Sequence, residues 1–441
     1  MKKLAWLIIT PCLSGSLFAA DLMQIYQAAR DNDPTFAAAR SSLQAGREKV
    51  PQALAGLLPT LAASGNTVWN KNDYVYGSTE YPTRYFNSNG YQLTLSQPLF
   101  RWQNWIGYDQ AQMQVAQSEA NFAQAHQDLI LRTAQAYFDV LYSGETLSAV
   151  RANKQAIAQQ LELAKKSFEV GTATITDTHE AQARYDLATA QEIAAESELE
   201  VKKRALQAII GQEPGGLAAL RKETQLSQPQ PNDMNQWVDA AEKSSLSVQV
   251  QQLAADIAER EVDRQRAGHY PTVDLVANYG HNKTLASPII GQAETDFHNT
   301  GLQVNIPLFQ GGLISSRQRE ASANRASATS GLEAAKRNAA LGARQYYLGV
   351  ANGLAQVRAL QAALVSSQSA LESNKLGYDV GVRINIDVLN AENQVYVTRR
   401  DLAKATFDTL MAQLRLKATV GSLGEDDIAR INALLDPTNL Q

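Results

Sequence analysis

The chain has 441 residues, 44% hydrophobic and 19% charged, a balance that excludes both a disordered chain and a polytopic helical membrane protein. Its net charge of −4, from 40 basic and 44 acidic side chains, lacks the basic excess of a nucleic-acid binder, so no nucleic-acid partner is expected. The single cysteine, Cys12, excludes an intrachain disulfide and any zinc site built on cysteine.

Residues 1–20 read as a signal peptide. Lys2 and Lys3 precede a mostly apolar stretch over 4–17 that is too short to span as a helix, and the small residues Ala19 and Ala20 follow. Cleavage there removes Cys12 and predicts export. Beyond it the chain repeats itself. Pro59 and Pro271 each open a β-like run, and Pro98-Leu99-Phe100 recurs as Pro307-Leu308-Phe309. Val170-Gly171 with Asp177 recurs as Val380-Gly381 with Asp387, and Gly211 recurs as Gly421. All these offsets lie between 209 and 212 residues, which marks a duplicated unit, 21–225 and 226–441. Internal duplication of this kind is common in transport proteins.

Each copy reads helix, strand, loop, strand, long helix, tight turn, helix. The strands are expected at about 60–76, 88–99, 272–283 and 300–309. Tyr91, Leu93 and Leu95 alternate with Gln92, Thr94 and Ser96, and Leu302, Val304 and Ile306 alternate with Gln303 and Asn305. Strands of about ten residues, apolar outward and polar inward, suit a tilted bilayer crossing. Trp69, Tyr91, Phe100, Trp102, Trp105, Tyr270, Tyr279 and Phe309 near their ends suit its interfaces. Alternation alone leaves a soluble sandwich with one wet face open.

The helical stretches shift that balance. Residues 102–170 and 314–380 contain no proline and are dominated by good helix formers. Val350, Val357, Leu364, Leu371 and Tyr378 fall seven apart, matched by Val140, Leu147, Lys154, Leu161 and Phe168. A sustained apolar heptad implies coiled-coil packing. Roughly 65 residues at 1.5 Å each give about 95 Å, some three times the bilayer core, and the surface is too polar for lipid. These helices are expected to project from the membrane. Four strands cannot close a barrel, and open sheet edges are not tolerated in lipid, so two or more protomers are required.

The order of elements, the paired Val-Gly turns running to Asp177 and Asp387, the Pro-Leu-Phe strand exits and the Gly211 and Gly421 helix ends resemble the TolC family of outer-membrane channel proteins. So do Thr133-Ala134-Gln135-Ala136-Tyr137-Phe138 and Gly381-Val382-Arg383-Ile384-Asn385. The resemblance covers essentially the whole mature chain. It implies an α+β membrane protein that forms a homotrimer, with a twelve-stranded outer-membrane β-barrel and a twelve-helix periplasmic α-barrel. It also implies a periplasmic adaptor and an inner-membrane ABC or RND-type transporter as partners, with export of drugs or, in type I secretion, of unfolded proteins.

Carried over position by position, the resemblance makes the tips at Val170, Gly171, Val380 and Gly381 the place where the adaptor docks. Thr176, Asp177, Tyr378 and Arg383 match polar links that keep the periplasmic entrance shut; for Asp177, helix capping is an equal alternative. Asp387 matches one member of a pore-lining acidic pair. The second member's position holds Asn390, so cation selectivity is expected to be weaker than with two acidic rings. His179 and Glu180, just past the first tip, read as exposed helix residues.

Other signals are weaker. Asp31-Asn32-Asp33-Pro34 reads as a helix break, and residues 237–250 as one equatorial helix. His269, His281 and His298 lack metal-ligand spacing, and no cofactor is expected. Tyr74, Tyr76, Tyr81, Tyr85 and Phe86 read as a surface loop. No catalytic motif appears. A soluble periplasmic coiled-coil adaptor or adhesin is the alternative, and it would lack the aromatic-bounded strands.

Overall fold

The computed structural model describes residues 20–221, 226–287 and 291–440. The segment read as a signal peptide lies, apart from Ala20, outside them. The helices are α1 (Leu22–Asn32), α2 (Pro34–Arg47), α3 (Lys49–Ala55), α4 (Trp102–Glu169), α5 (Ile175–Ile210), α6 (Met234–Ser244), α7 (Leu246–Arg266), α8 (Leu313–Asp379), α9 (Asn385–Thr419) and α10 (Glu425–Asn432). The strands are β1 (Thr60–Tyr76), β2 (Thr79–Phe100), β3 (Ala218–Leu220), β4 (Thr272–Ser287), β5 (Gly291–Asn305) and β6 (Leu435–Leu440). They fall into two compact units: a sheet unit, residues 40–122 and 246–337, and a helical unit comprising the rest.

In the sheet unit, β1, β2, β4 and β5 form one antiparallel sheet in that order. One face is apolar and bare: Leu61, Trp69, Tyr91, Tyr279, Leu302 and Val304 are all exposed. The other carries an amide ladder. Gln92 Nε2 donates to Asn278 Oδ1 at 2.9 Å, Thr94 Oγ1 donates to the same atom at 2.9 Å, and Asn278 Nδ2 donates to Asn299 Oδ1 at 2.9 Å. Below it Arg101 grips Asp274 with two hydrogen bonds of 2.8 Å. Nearby, Glu261 of α7 is tied to Gln110 of α4 at 3.0 Å. Burial pushes the Glu261 carboxyl upward, but donors from Arg264, Gln265 and Gln110 outweigh it and hold it at about 2.

Three strands differ from the sequence expectation. β2 starts at Thr79 rather than 88, β4 reaches Ser287 rather than 283, and β5 spans Gly291–Asn305 rather than 300–309. The backbone ladder of β1 and β2 continues to Tyr76↔Thr79 through a stretch holding Glu80, Pro82 and Arg84, where alternation is lost and a bulge interrupts the register. β5 stops before Pro307, which has no N–H to give, and Leu308 and Phe309 stand free at 92% and 88% exposure. The helix expected at 237–250 is two, α6 and α7, parted at Ser245. The small sheet of β3 and β6 was not anticipated.

The helical unit has the larger core. Tyr26, Leu129, Ile130, Tyr137, Phe138, Leu141, Leu206, Ile210, Leu410 and Leu414 are fully buried. The Tyr137 hydroxyl donates to the Ala218 carbonyl at 2.7 Å and so ties α4 to β3. The break before α2 lies where expected. Asp33 accepts from the Thr35 amide at 2.7 Å and pairs with Arg132 at 2.7 Å. Of the heptad column, Val140, Leu147, Leu161, Val350 and Val357 are buried, whereas Phe168 near the turn is exposed.

Within this core the Tyr26 hydroxyl lies 2.7 Å from His126 Nε2 and donates to Glu425, which also accepts from Arg30. Phe36 packs beside the imidazole. Burial holds the His126 pKa below its ordinary value, outweighing the attraction of Glu425. The unfolded chain therefore binds this proton first, near pH 6.5, and stability falls as pH drops through that value toward the folded one. Thermal unfolding of the wild type and of His126→Gln is expected to show the wild type's advantage shrinking between about pH 7.5 and about pH 5.5. A gap that widens on acidification contradicts this.

Candidate functional site

Two helical hairpins, α4–α5 and α8–α9, end in turns of the same construction. In the first, the Gly171 amide donates to the Phe168 carbonyl at 3.0 Å and the Thr172 amide to the Ser167 carbonyl at 2.8 Å. In the second, Gly381 donates to Tyr378 at 3.0 Å and Val382 to Gly377 at 2.8 Å. This is the Schellman closure, which requires a left-handed residue after the helix. Gly171 and Gly381 supply it, with φ of +75° and +76°. Nothing lies within 4 Å of a Cβ added at either, so the backbone alone demands glycine.

The helices that return from the turns start differently. Thr174 caps α5 and forms a capping box: the Asp177 amide donates to Thr174 Oγ1 at 3.3 Å, and the Thr174 amide donates to Asp177 Oδ2 at 2.9 Å. In the repeat the N-cap is Ile384, which has no side-chain oxygen. Asp387 therefore has no reciprocal box, and its carboxylate instead lies 3.7 Å from Arg383 Nη1. A single difference, Thr174 against Ile384, thus commits one aspartate to its helix and leaves the other facing an exposed guanidinium.

The remaining sequence-predicted residues are placed as follows. Val170 and Val380 are exposed at 75% and 66%, with Val382 and Ile384 beside them also bare. Thr176 is exposed and Tyr378 half-buried. Asn390 is exposed and accepts a 3.0 Å hydrogen bond from Arg184 Nη2, across from α9 to α5. Sequence reasoning missed Arg184; the only local signal was Glu180 four residues before it, now its partner at 3.3 Å. It also missed Glu392, buried on α9 and paired with Lys375 of α8 at 3.0 Å.

Contacts behind the tips are mostly small. Ile157, Ala188 and Leu389 form one cluster, and Leu161, Ala164 and Ala181 another, with Tyr185 packed against both. Lys154, 5.5 Å from the Tyr185 ring, also binds Glu192 at 2.8 Å, and Arg151 binds the same carboxylate at 3.0 Å. These donors, Lys154 first, hold the Glu192 carboxyl below its ordinary range. Asn153, Gln160, Asn385 and Glu392 each keep a buried oxygen without a hydrogen bond in the described chain. These cores are thin, and several of their buried polar atoms find no hydrogen-bond partner within the described chain.

A profile described as outer membrane efflux protein matches residues 25–212 and again 237–422. The outer membrane protein TolC of Vibrio cholerae is 32% identical over 439 residues, 98% of either chain. The proteases secretion protein PrtF of Dickeya chrysanthemi is 31% identical over 441 residues, 98% of this chain and 95% of the relative. Among solved structures, the CmeC outer membrane channel of Campylobacter jejuni has a TM-score of 0.80 at 16% identity, over 94% of this chain and 90% of that one. That likeness concerns the fold.

Replacing Asp177 with Ala removes one half of the capping box, a loss of about 1 kcal/mol. Hydrogen exchange at the Thr174 amide and the first turn of α5 is expected to quicken by roughly fivefold, about the factor that such a loss sets. Unchanged protection would show that the carboxylate does not serve its own helix.

Proposed function

This chain belongs to the outer membrane efflux protein family, and we propose that it is the outer-membrane exit channel of tripartite efflux pumps and type I secretion, passing drugs or unfolded proteins by passive conduction. The observation that carries this reading is the four-stranded sheet. One face is apolar and bare, the other is lined with amides, and the outer edges of β1 and β5 pair with no strand among the described residues. Such edges cannot face hydrocarbon, where every backbone polar group needs a partner. Three chains of four strands make a twelve-stranded barrel wide enough for a lumen, and cyclic symmetry is the ordinary way to close it. The chain is therefore proposed to act as a homotrimer in the outer membrane of a Gram-negative cell.

The helices support the same assembly. Among the described residues no helix is long and apolar enough to cross a membrane. Leu187, Ile193 and Val201 on α5 and Leu341, Leu348 and Val365 on α8 are nonetheless exposed. In a trimer, hairpins of neighbouring copies cover such side chains and form a periplasmic twelve-helix tunnel. Each repeat, 21–225 and 226–441, then contributes two strands and one hairpin.

At the tunnel's end, the bare valines Val170 and Val380, set by Gly171 and Gly381, offer apolar purchase to a periplasmic adaptor. The adaptor in turn engages an inner-membrane ABC or RND-type transporter, the source of energy. Thr176, Tyr378, Arg383 and the Asp177 carboxylate oxygen that the capping box leaves unused are proposed to link neighbouring hairpins, and Asp387 and Asn390 to line the constriction. Thr176 and Tyr378 make no hydrogen bond with another described side chain, which leaves them free for such links. The name of PrtF, a proteases secretion protein, supports proteins among the cargo.

Reconstituted in planar bilayers, the purified protein is expected to form discrete channels with a weak preference for cations. Asp387→Ala is expected to lower that preference. Absence of channels contradicts the function, whereas channels of unchanged preference contradict only the role of Asp387.

A further inference from the structure

We propose that Arg184 is both the latch and the counter-charge of the entrance constriction: its guanidinium ties the first hairpin to the second at Asn390 and offsets the field of Asp387. The proposal rests on the channel reading above and adds a residue that sets gating and selectivity.

The contact is built rather than incidental. Arg184 Nη2 lies 3.0 Å from Asn390 Oδ1 and 3.3 Å from Glu180 Oε1, so a carboxylate one turn back on α5 aims the guanidinium at α9. The neighbouring residues fix both ends. Tyr185 packs against the Ile157, Ala188 and Leu389 cluster and against Leu161, Ala164 and Ala181, and Leu389 precedes Asn390 directly. One residue on either helix is thus locked by apolar packing while the next makes the polar bond.

The charge consequence follows from spacing. Asp387 and Asn390 are three apart on one helix, hence neighbours on its surface. The cation bound to Asn390 therefore stands on the same stretch of α9 as the Asp387 carboxylate. Arg383 approaches that carboxylate to 3.7 Å from the turn side. Two guanidiniums thus face the carboxylates of Asp387 and Glu180, and each protomer brings a nearly balanced set to the constriction instead of an acidic one. An amide at position 390 suits this role. It accepts from arginine without the full Coulomb attraction of a carboxylate, so the link holds yet yields when the hairpin moves.

The test separates latch from charge. Single-channel conductance and reversal potential in a KCl gradient are read for the wild type, Arg184→Gln, Asn390→Ala and Arg184→Ala. Arg184→Gln removes the charge and keeps a donor, and is expected to shift the reversal potential toward cations with little change in conductance. Asn390→Ala keeps the charge and removes the acceptor, and is expected to raise conductance by about two- to fivefold, the range an exposed link allows. Arg184→Ala is expected to do both. If Arg184→Ala matches the wild type in both readings, the proposal is overturned, while a wild type without channels would overturn the channel reading instead.

Discussion

The unpaired edges of β1 and β5 constrain everything else. Along β1, seventeen residues, and β5, fifteen, every other residue turns its backbone N–H and C=O outward, where no strand among the described residues pairs with them and lipid cannot satisfy them. The sheet's bare apolar face forbids exposure to water, and its edges forbid isolation in a membrane. Pairing between copies, as proposed, meets both demands. The proposed lumen, tunnel and ring of entrance residues would all follow from that pairing, because each needs several chains around an axis.

Duplication supplies the parts, and small departures from it distinguish the two hairpin tips. Gly171 and Gly381 close their turns by the same two hydrogen bonds. The turns then diverge at Thr174 and Ile384: one aspartate is absorbed by its own helix, and its counterpart is left to face Arg383. Beneath the turns the hairpins are held by alanine-rich contacts and by ion pairs. On the proposed channel reading these are the contacts that an adaptor would displace, since a ligand shifts an equilibrium only by its differential affinity.

Much of the fold was legible because bilayers and coiled coils impose short periods. Tyr91 and Leu93 keep a period of two, Val350 and Val357 a period of seven, and both survive in the structure as a bare face and a buried seam. The limits of β1 were legible, but the start of β2 was not, because its part holding Glu80, Pro82 and Arg84 is kept extended by its ladder to β1 rather than by alternation. β3 and β6 are short and pair across more than two hundred residues, a distance that local pattern does not register. At the tips, the glycines and aspartates stood out through repetition. Arg184 did not, since its partner Asn390 is 206 residues away and the bond has no counterpart in the repeat.

Native mass measurement of the purified protein in mild detergent addresses the pairing of copies directly. The account predicts a complex of three chains that persists on dilution. A population of folded single chains, with no larger species at any concentration, would contradict it.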